Sequence, residues 1–222
     1  MLEPVPPAAK NIANWNEARL DAQRERAYLV ALQGDFHETV TELEHDIARF
    51  DSIANSMTFL LDQSRLARPT ASLDQLNEAA GLIIKMEGLT IVSDTYSNLT
   101  GSGDLAIIRS QELKDAMASF YGSYDVVVLV GNTHEMQLVG IFQPYIVRNL
   151  DYVGMLNRTR GVTPSAAFDP TRVRAVLRTA EFRNVVAAKW DTVTDLRNVM
   201  TAALEKARHV ETLLARELER SA

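Results

Sequence analysis

Tyr124-Asp125-Val126-Val127-Val128-Leu129-Val130-Gly131-Asn132 decides how this chain is read. Taken alone, an aliphatic run closed by Gly-Asn looks like a buried strand entering a turn. The wider window points elsewhere. Leu113, Met117, Phe120, Tyr124, Val127, Gly131, His134, Leu138, Ile141 and Tyr145 follow at steps of four and three. A strand plus a loop has no reason to hold helical phase across Gly131, so one helix is expected from about Gln111 to Leu150. Pro144 should kink it, because proline lacks the backbone donor and its ring presses on the preceding turn.

The same periodicity extends towards the N-terminus. Between Ala8 and Arg68 there is no proline and one glycine, Gly34. Leu29, Leu32, Phe36, Val40, Leu43, Ile47, Phe50, Ala54, Met57 and Leu61 form a stripe at steps of three and four. This predicts one helix of about 60 residues, far beyond the usual globular range. Its first third is more polar, exposing Trp15, Leu20 and Tyr28, and reads as a stalk.

Pro69 closes that helix, and Ser72-Leu73-Asp74-Gln75 carries a capping box for a second one, expected to reach about Glu87. Gly88 punctuates it, with a shorter helical stretch through Tyr96. Thr100-Gly101-Ser102-Gly103-Asp104 reads as a loop, with Ser102 and Asp104 capping a short turn over Leu105–Ile108. Ser110 is placed to cap the helix from Gln111, and residues 154–169 form a loop. Asp169-Pro170 opens a short helix as N-cap and first helical residue. Thr179 caps the last helix, which sets Val186, Trp190, Val193, Met200, Ala207, Val210 and Leu214 on one side. The fold class expected is all-α: an elongated antiparallel helical bundle with one very long N-terminal helix. Residues 1–10 are a flexible N-terminus or a scar of trimming, and 11–222 form a single helical domain whose residues 11–30 are a membrane-proximal stalk.

Composition narrows function mostly by exclusion. Of 222 residues, 46% are hydrophobic and 23% charged, which is a globular mix. The net charge of −6 and the interleaving of Arg19, Arg24 and Arg26 with Glu17, Asp21 and Glu25 argue against a nucleic-acid partner. The absence of cysteine removes disulfides, thiolate metal sites and cysteine nucleophiles. The longest aliphatic run, Val126–Val130, is far short of the roughly 20 residues of a membrane helix. The N-terminus lacks the regions of a signal peptide.

No constellation assigns a reaction. His37 and His45 stand eight apart on one helix, about 12 Å by helical rise, too far to share a metal unaided. Glu42-Leu43-Glu44-His45 is a single Glu-x-x-His, whereas di-iron bundles need two with further inward glutamates. Gly101-Ser102-Gly103-Asp104 lacks the strand and lysine of a phosphate loop. The aromatics Phe120, Tyr121, Tyr124, Phe142 and Tyr145 have core spacing, with hydroxyls able to edge a semi-polar pocket. His134 is the most informative histidine: it falls on the apolar stripe, where an imidazole needs a partner. His134, Tyr124 and Tyr145 are therefore the candidate ligand-binding residues, against the plainer reading of a satisfied core histidine. No catalytic residue, metal ligand or cofactor is expected, and the chain is read as a non-enzyme.

Asn14-Trp15-Asn16-Glu17, followed by Arg19, Arg24, Arg26 and Tyr28-Leu29, resembles the opening of an uncharacterised family of single-pass bacterial membrane proteins. Ser102-Gly103-Asp104-Leu105-Ala106-Ile107-Ile108, Glu112-Leu113, Phe120-Tyr121 and Glu181-Phe182-Arg183-Asn184 fit the same family. In proteins of this kind a membrane helix immediately precedes the Asn-Trp-Asn-Glu element. Here that place holds Glu3-Pro4-Val5-Pro6-Pro7, which suggests a trimmed tether. The resemblance implies a membrane-anchored protein with this domain extracytoplasmic, that is, periplasmic. Trp15 would then lie at the headgroup layer; the rival reading packs it on another helix.

Three functional expectations follow. The first is a membrane-tethered extracytoplasmic binding or sensing module, which requires a sizeable cavity lined by polar groups, with the surroundings of His134 as one place for it, and which the absence of such a cavity would sink. The second is a homo-oligomeric structural or interaction scaffold without a small-molecule site. An enzyme, the third, would need carboxylates and histidines converging from different helices. The helical register is testable directly: Val127→Asp puts an unpaired charge on the stripe and should lower stability by several kcal/mol in chemical denaturation. An unchanged midpoint would refute the register.

Overall fold

The computed structural model describes residues 7–86, 91–153, 155 and 171–220. Every regular element among them is helical. Helix α1 spans Pro7–Arg65, α2 Leu73–Gly81 with a 3-10 turn at Leu82–Ile84, and α3 Asp94–Ser102 with a 3-10 turn at Asp104–Ile107. Then come α4 Gln111–Gln137, a π-helical turn Leu138–Phe142, α5 Gln143–Asn149, α6 Arg172–Leu177 and α7 Ala180–Arg220. The expected break at Gly88, the Asp169-Pro170 helix start and, apart from Met155, the loop at 154–169 lie outside the described residues.

The long helices form because nothing interrupts them and their inward stripes find partners. Helix α1 runs for 59 residues and α7 for 41. The aliphatic run Val126–Val130 is helical, with Val127 fully buried and Val126, Val128 and Leu129 exposed, as the four-three phase requires. Three caps fall where their side chains predict, whereas the turn at Asp104–Ile107, expected to be capped by Ser102 and Asp104, has Gly103 at its N-cap position and so no side-chain cap there. Ser72 and Gln75 make both bonds of the capping box. Ser110 Oγ accepts from Leu113 N–H at 3.3 Å, and Thr179 Oγ1 from Phe182 N–H at 3.1 Å. After α1, the Gln63 side-chain oxygen accepts from the N–H groups of Thr70 and Ala71, closing the turn at Pro69.

The chain divides into two compact units, and α1, α4 and α7 each contribute segments to both. Unit 1 comprises residues 1–43, 90–123 and 203–222. Its core holds Leu29, Leu32 and Phe36 of α1, Leu99 of α3, Met117 and Phe120 of α4, and Ala207 and Val210 of α7. Phe36 meets Phe120 edge-on at 5.1 Å, and Tyr96 stacks on Tyr121 at 4.1 Å. Arg26 reaches the Leu218 carbonyl and His37 meets Glu211, so α7 runs antiparallel to α1 here. Glu25 with Arg109 and Phe36 with Phe120 advance together, so the 109–120 segment runs parallel to α1.

Unit 2 comprises residues 44–89 and 124–202. Its core holds Phe50, Met57 and Leu60 of α1, Leu76 and Ala80 of α2, Ile83, Val127, Phe142, Ile146 and Leu177, and Phe182, Val186, Val193 and Met200 of α7.

Three expectations shift in detail. The helix predicted to end near Glu87 stops being α-helical at Gly81, and α3 continues through Gly101 to Ser102, so the predicted loop contracts to Gly103. Ile141, expected on the inward stripe, is exposed, and Phe142 takes its place. The cause is the π turn: Gln143 N–H bonds to the Leu138 carbonyl five residues back, which inserts one residue and rotates the stripe. It sits just before Pro144, whose ring would press on the preceding turn of a regular α-helix. The expected distortion thus takes the form of a widened turn. Finally, Trp190 is 40% exposed, and Lys189 occupies the inward position beside it.

Gly103 has φ +81°, and a Cβ there would meet nothing within 4 Å. Gly103→Ala should therefore destabilise through backbone strain alone, by about 1–2 kcal/mol, measured as a lowered denaturation midpoint.

Candidate functional site

Helical phase alone places the most unusual side chains of unit 2. On α7 the inward row reads Phe182, Val186, Lys189, Val193, Leu196 and Met200, at steps of four and three with a lysine among apolar residues. On α4 the row reads Tyr124, Val127 and then His134. Lys189 is 0% exposed and His134 is 2% exposed.

The two meet. Lys189 Nζ lies 2.6 Å from His134 Nε2 and donates to the Lys85 carbonyl at 2.8 Å. The ammonium group is 5.4 Å from the centre of the Phe142 ring. The imidazole is flanked edge-on by Phe50 at 6.4 Å and Phe142 at 6.5 Å. One lysine thus ties the end of the 3-10 turn after α2 to α4 and α7. In this apolar setting the charged forms are disfavoured. Burial lowers Lys189 to about 7, and burial together with the Lys189 charge lowers His134 to about 4.

A second buried polar group, Asp46, sits on α1 where the stripe was expected to show Ile47. It accepts from Arg49 Nη1 at 3.3 Å. Burial, and after it the Asp46 charge, raises the Tyr124 hydroxyl above its ordinary value. Nearby on the sequence, Thr192 Oγ1 donates to Gln137 Oε1 at 2.6 Å.

Grooves open on the surface of unit 2 among the described residues. The larger, about 670 Å³, runs between α1 and α2, lined among others by Asp51, Asn55 and Phe59 and by Gln75, Glu78 and Leu82. Arg197 Nη1 holds Asp51 Oδ1 at 3.0 Å, and Gln75 Oε1 is engaged by the Ser72 N–H. The lining contains carboxylates, amides, hydroxyls and one aromatic ring, and no basic side chain. The smaller, about 220 Å³, is edged by Pro144, Tyr145, Arg148, Asn149 and Glu181.

Of the candidate residues, Tyr145 edges the smaller groove, where burial, partly offset by a hydrogen bond with Thr179, raises its hydroxyl. His134 lines neither groove and is sealed in the core. Tyr124 is buried beside the charge of Asp46. Trp15 is 64% exposed and carries the Arg19 guanidinium 5.5 Å above its ring, so it is not packed into a core. Lys189, Asp46 and the α1–α2 groove escaped the sequence reading. The lysine and the aspartate were findable as charged residues in phase with an apolar row. The groove was not, because its walls are ordinary surface residues. Among the described residues no cluster of histidines, cysteines and carboxylates is arranged to hold a metal.

Comparison with protein-family models, curated proteins and solved structures yields no match for this chain.

The buried pair should write itself into stability against pH. Both groups bind fewer protons folded than unfolded. Stability should therefore fall as pH drops from 6.5 through about 4, and rise as pH climbs from about 7 towards 10.5, by a few kcal/mol on each limb. Urea denaturation across this range is the check, and Lys189→Met should flatten the upper limb.

Proposed function

We propose that the chain is a helical binding module of a membrane-tethered extracytoplasmic protein, with the α1–α2 groove of unit 2 as its ligand surface. The observation that carries the reading is the groove itself: about 670 Å³, within the range of small-molecule sites, and lined by carboxylates, amides, hydroxyls and Phe59. With Asp51 already paired to Arg197, Glu78 and the amides and hydroxyls of the lining suit a polar neutral or cationic small molecule over an anion. The tether and the periplasmic placement rest on the resemblance carried by Asn14-Trp15-Asn16-Glu17. The exposed Trp15 and the exposed run 18–24 are consistent with a membrane-proximal stalk. Among the described residues no helix is long and apolar enough to cross a membrane.

One observation favours the scaffold reading as well. On α4 and the π turn, Leu129, Met136 and Val139 are each more than 60% exposed, with Val126 beside them. A helix apolar both inward and outward is suited to association with a second surface.

Native mass spectrometry of the purified domain separates the two. The binding module predicts a constant extra mass on each protomer, lost in Ser52→Trp, which fills the groove from an exposed position. Bare protomers in one discrete oligomer would replace it with the scaffold, and bare monomers that also ignore amine and polyol libraries would overturn both.

A further inference from the structure

Two basic nitrogens in contact inside a core face a constraint that an ion pair does not: in an N–H···N bond one must donate and the other accept. With Lys189 as ammonium, its three N–H groups are directed to the Lys85 carbonyl, to His134 Nε2 and towards the Phe142 ring. Nε2 must then carry a lone pair, which places the imidazole proton on Nδ1. With Lys189 as neutral amine, its lone pair needs a donor, and His134 Nε2–H is within reach. The amine keeps an N–H for the Lys85 carbonyl in both states.

We propose that Lys189 and His134 form a buried proton switch, in which loss of one proton from the pair inverts the histidine tautomer while both hydrogen bonds of the lysine survive. The proton balance is simple. An Nζ–H bond breaks as Nε2–H forms, and the proton on Nδ1 leaves to water during local opening. Lysine ends neutral and imidazole remains neutral, so the core changes from one positive charge to none. The proposal stands independently of the groove and its ligand.

The surroundings suit such a switch. From α1 the pair is faced by Phe50, from the π turn by Phe142, and from the 3-10 turn by the Lys85 backbone, whose side chain is exposed. The acidic residues closest in sequence on α4 and α7, Glu135 and Asp191, are exposed. Asp46 on α1 bears on Tyr124 and holds Arg49. Burial lowers Lys189 to about 7, which sets the switch near neutral pH. A second proton, on His134, would leave two cations 2.6 Å apart and has no donor–acceptor solution. Acid beyond the switch therefore parts Lys189 from His134, and with that contact α7 and the 3-10 turn lose their tie to α4.

The test is long-range proton–nitrogen NMR of the four imidazoles in uniformly labelled protein, from about pH 5 to about pH 9. The expected result is inversion of His134 from the Nδ1–H to the Nε2–H form near pH 7, in step with the Lys189 Nζ shift from ammonium to amine. His37, His45 and His209 serve as internal references. In Lys189→Met the inversion should vanish, with one tautomer held throughout. Should that variant not fold, the Nζ titration in the unsubstituted protein decides alone. A His134 tautomer constant across the range, or a Lys189 that stays ammonium to pH 9, overturns the proposal.

Discussion

A helix of 41 residues packed along its length must turn a side chain inward at every third or fourth position, whatever that side chain is. This constraint governs the molecule. On α7 the buried places from Phe182 to Met200 are filled by apolar groups except at Lys189 and Thr192, and of these two only Lys189 carries an ionisable group. Moving the lysine outward would require breaking the register of the whole helix, which would expose the valines on either side. The amine is therefore desolvated by its neighbours' burial, and His134 and the Lys85 carbonyl supply what water no longer does. The pairing of three elements around one nitrogen follows from the row, not from any local preference of lysine.

The π turn at Leu138–Phe142 is a second consequence of register. One inserted residue lets His134 and Phe142 both face inward, although a regular four-three row from His134 would have brought Ile141 in. The two rings consequently flank each other, and Phe142 comes within reach of Lys189. Pro144 and its distortion thus help to complete the aromatic wall around the buried pair.

These particulars show how much could be read beforehand. Caps were legible at Ser72, Ser110 and Thr179 because hydroxyl-to-backbone bonding is local chemistry. The helix through Val126–Val130 was legible because phase persists across it. Ile141 was misplaced because a π turn leaves no mark in composition, only a nearby proline. Between Val186 and Val193 both Lys189 and Trp190 satisfy the three-and-four spacing, as Asp46 and Ile47 do between Leu43 and Phe50, so spacing left a choice that apolar character decides the other way from the packing. Of the candidate site, His134 was legible as a histidine needing a partner, but the partner lies 55 residues away on another helix. The groove depends on how α1 and α2 approach, which no single segment encodes.

The run Tyr124–Val130 carries one further consequence. Folded, its aliphatic side chains are dispersed around a cylinder, with Val127 inside and Val126, Val128 and Leu129 outside. Released from the helix, Val126–Val130 becomes a contiguous uncharged strip, β-branched except at Leu129 and flanked by Asp125, close to the composition from which cross-β stacks are built. The helical fold is what keeps this strip from meeting copies of itself. Heat or acid that melts α4 would expose this strip, and any aggregation it seeds would then compete with refolding.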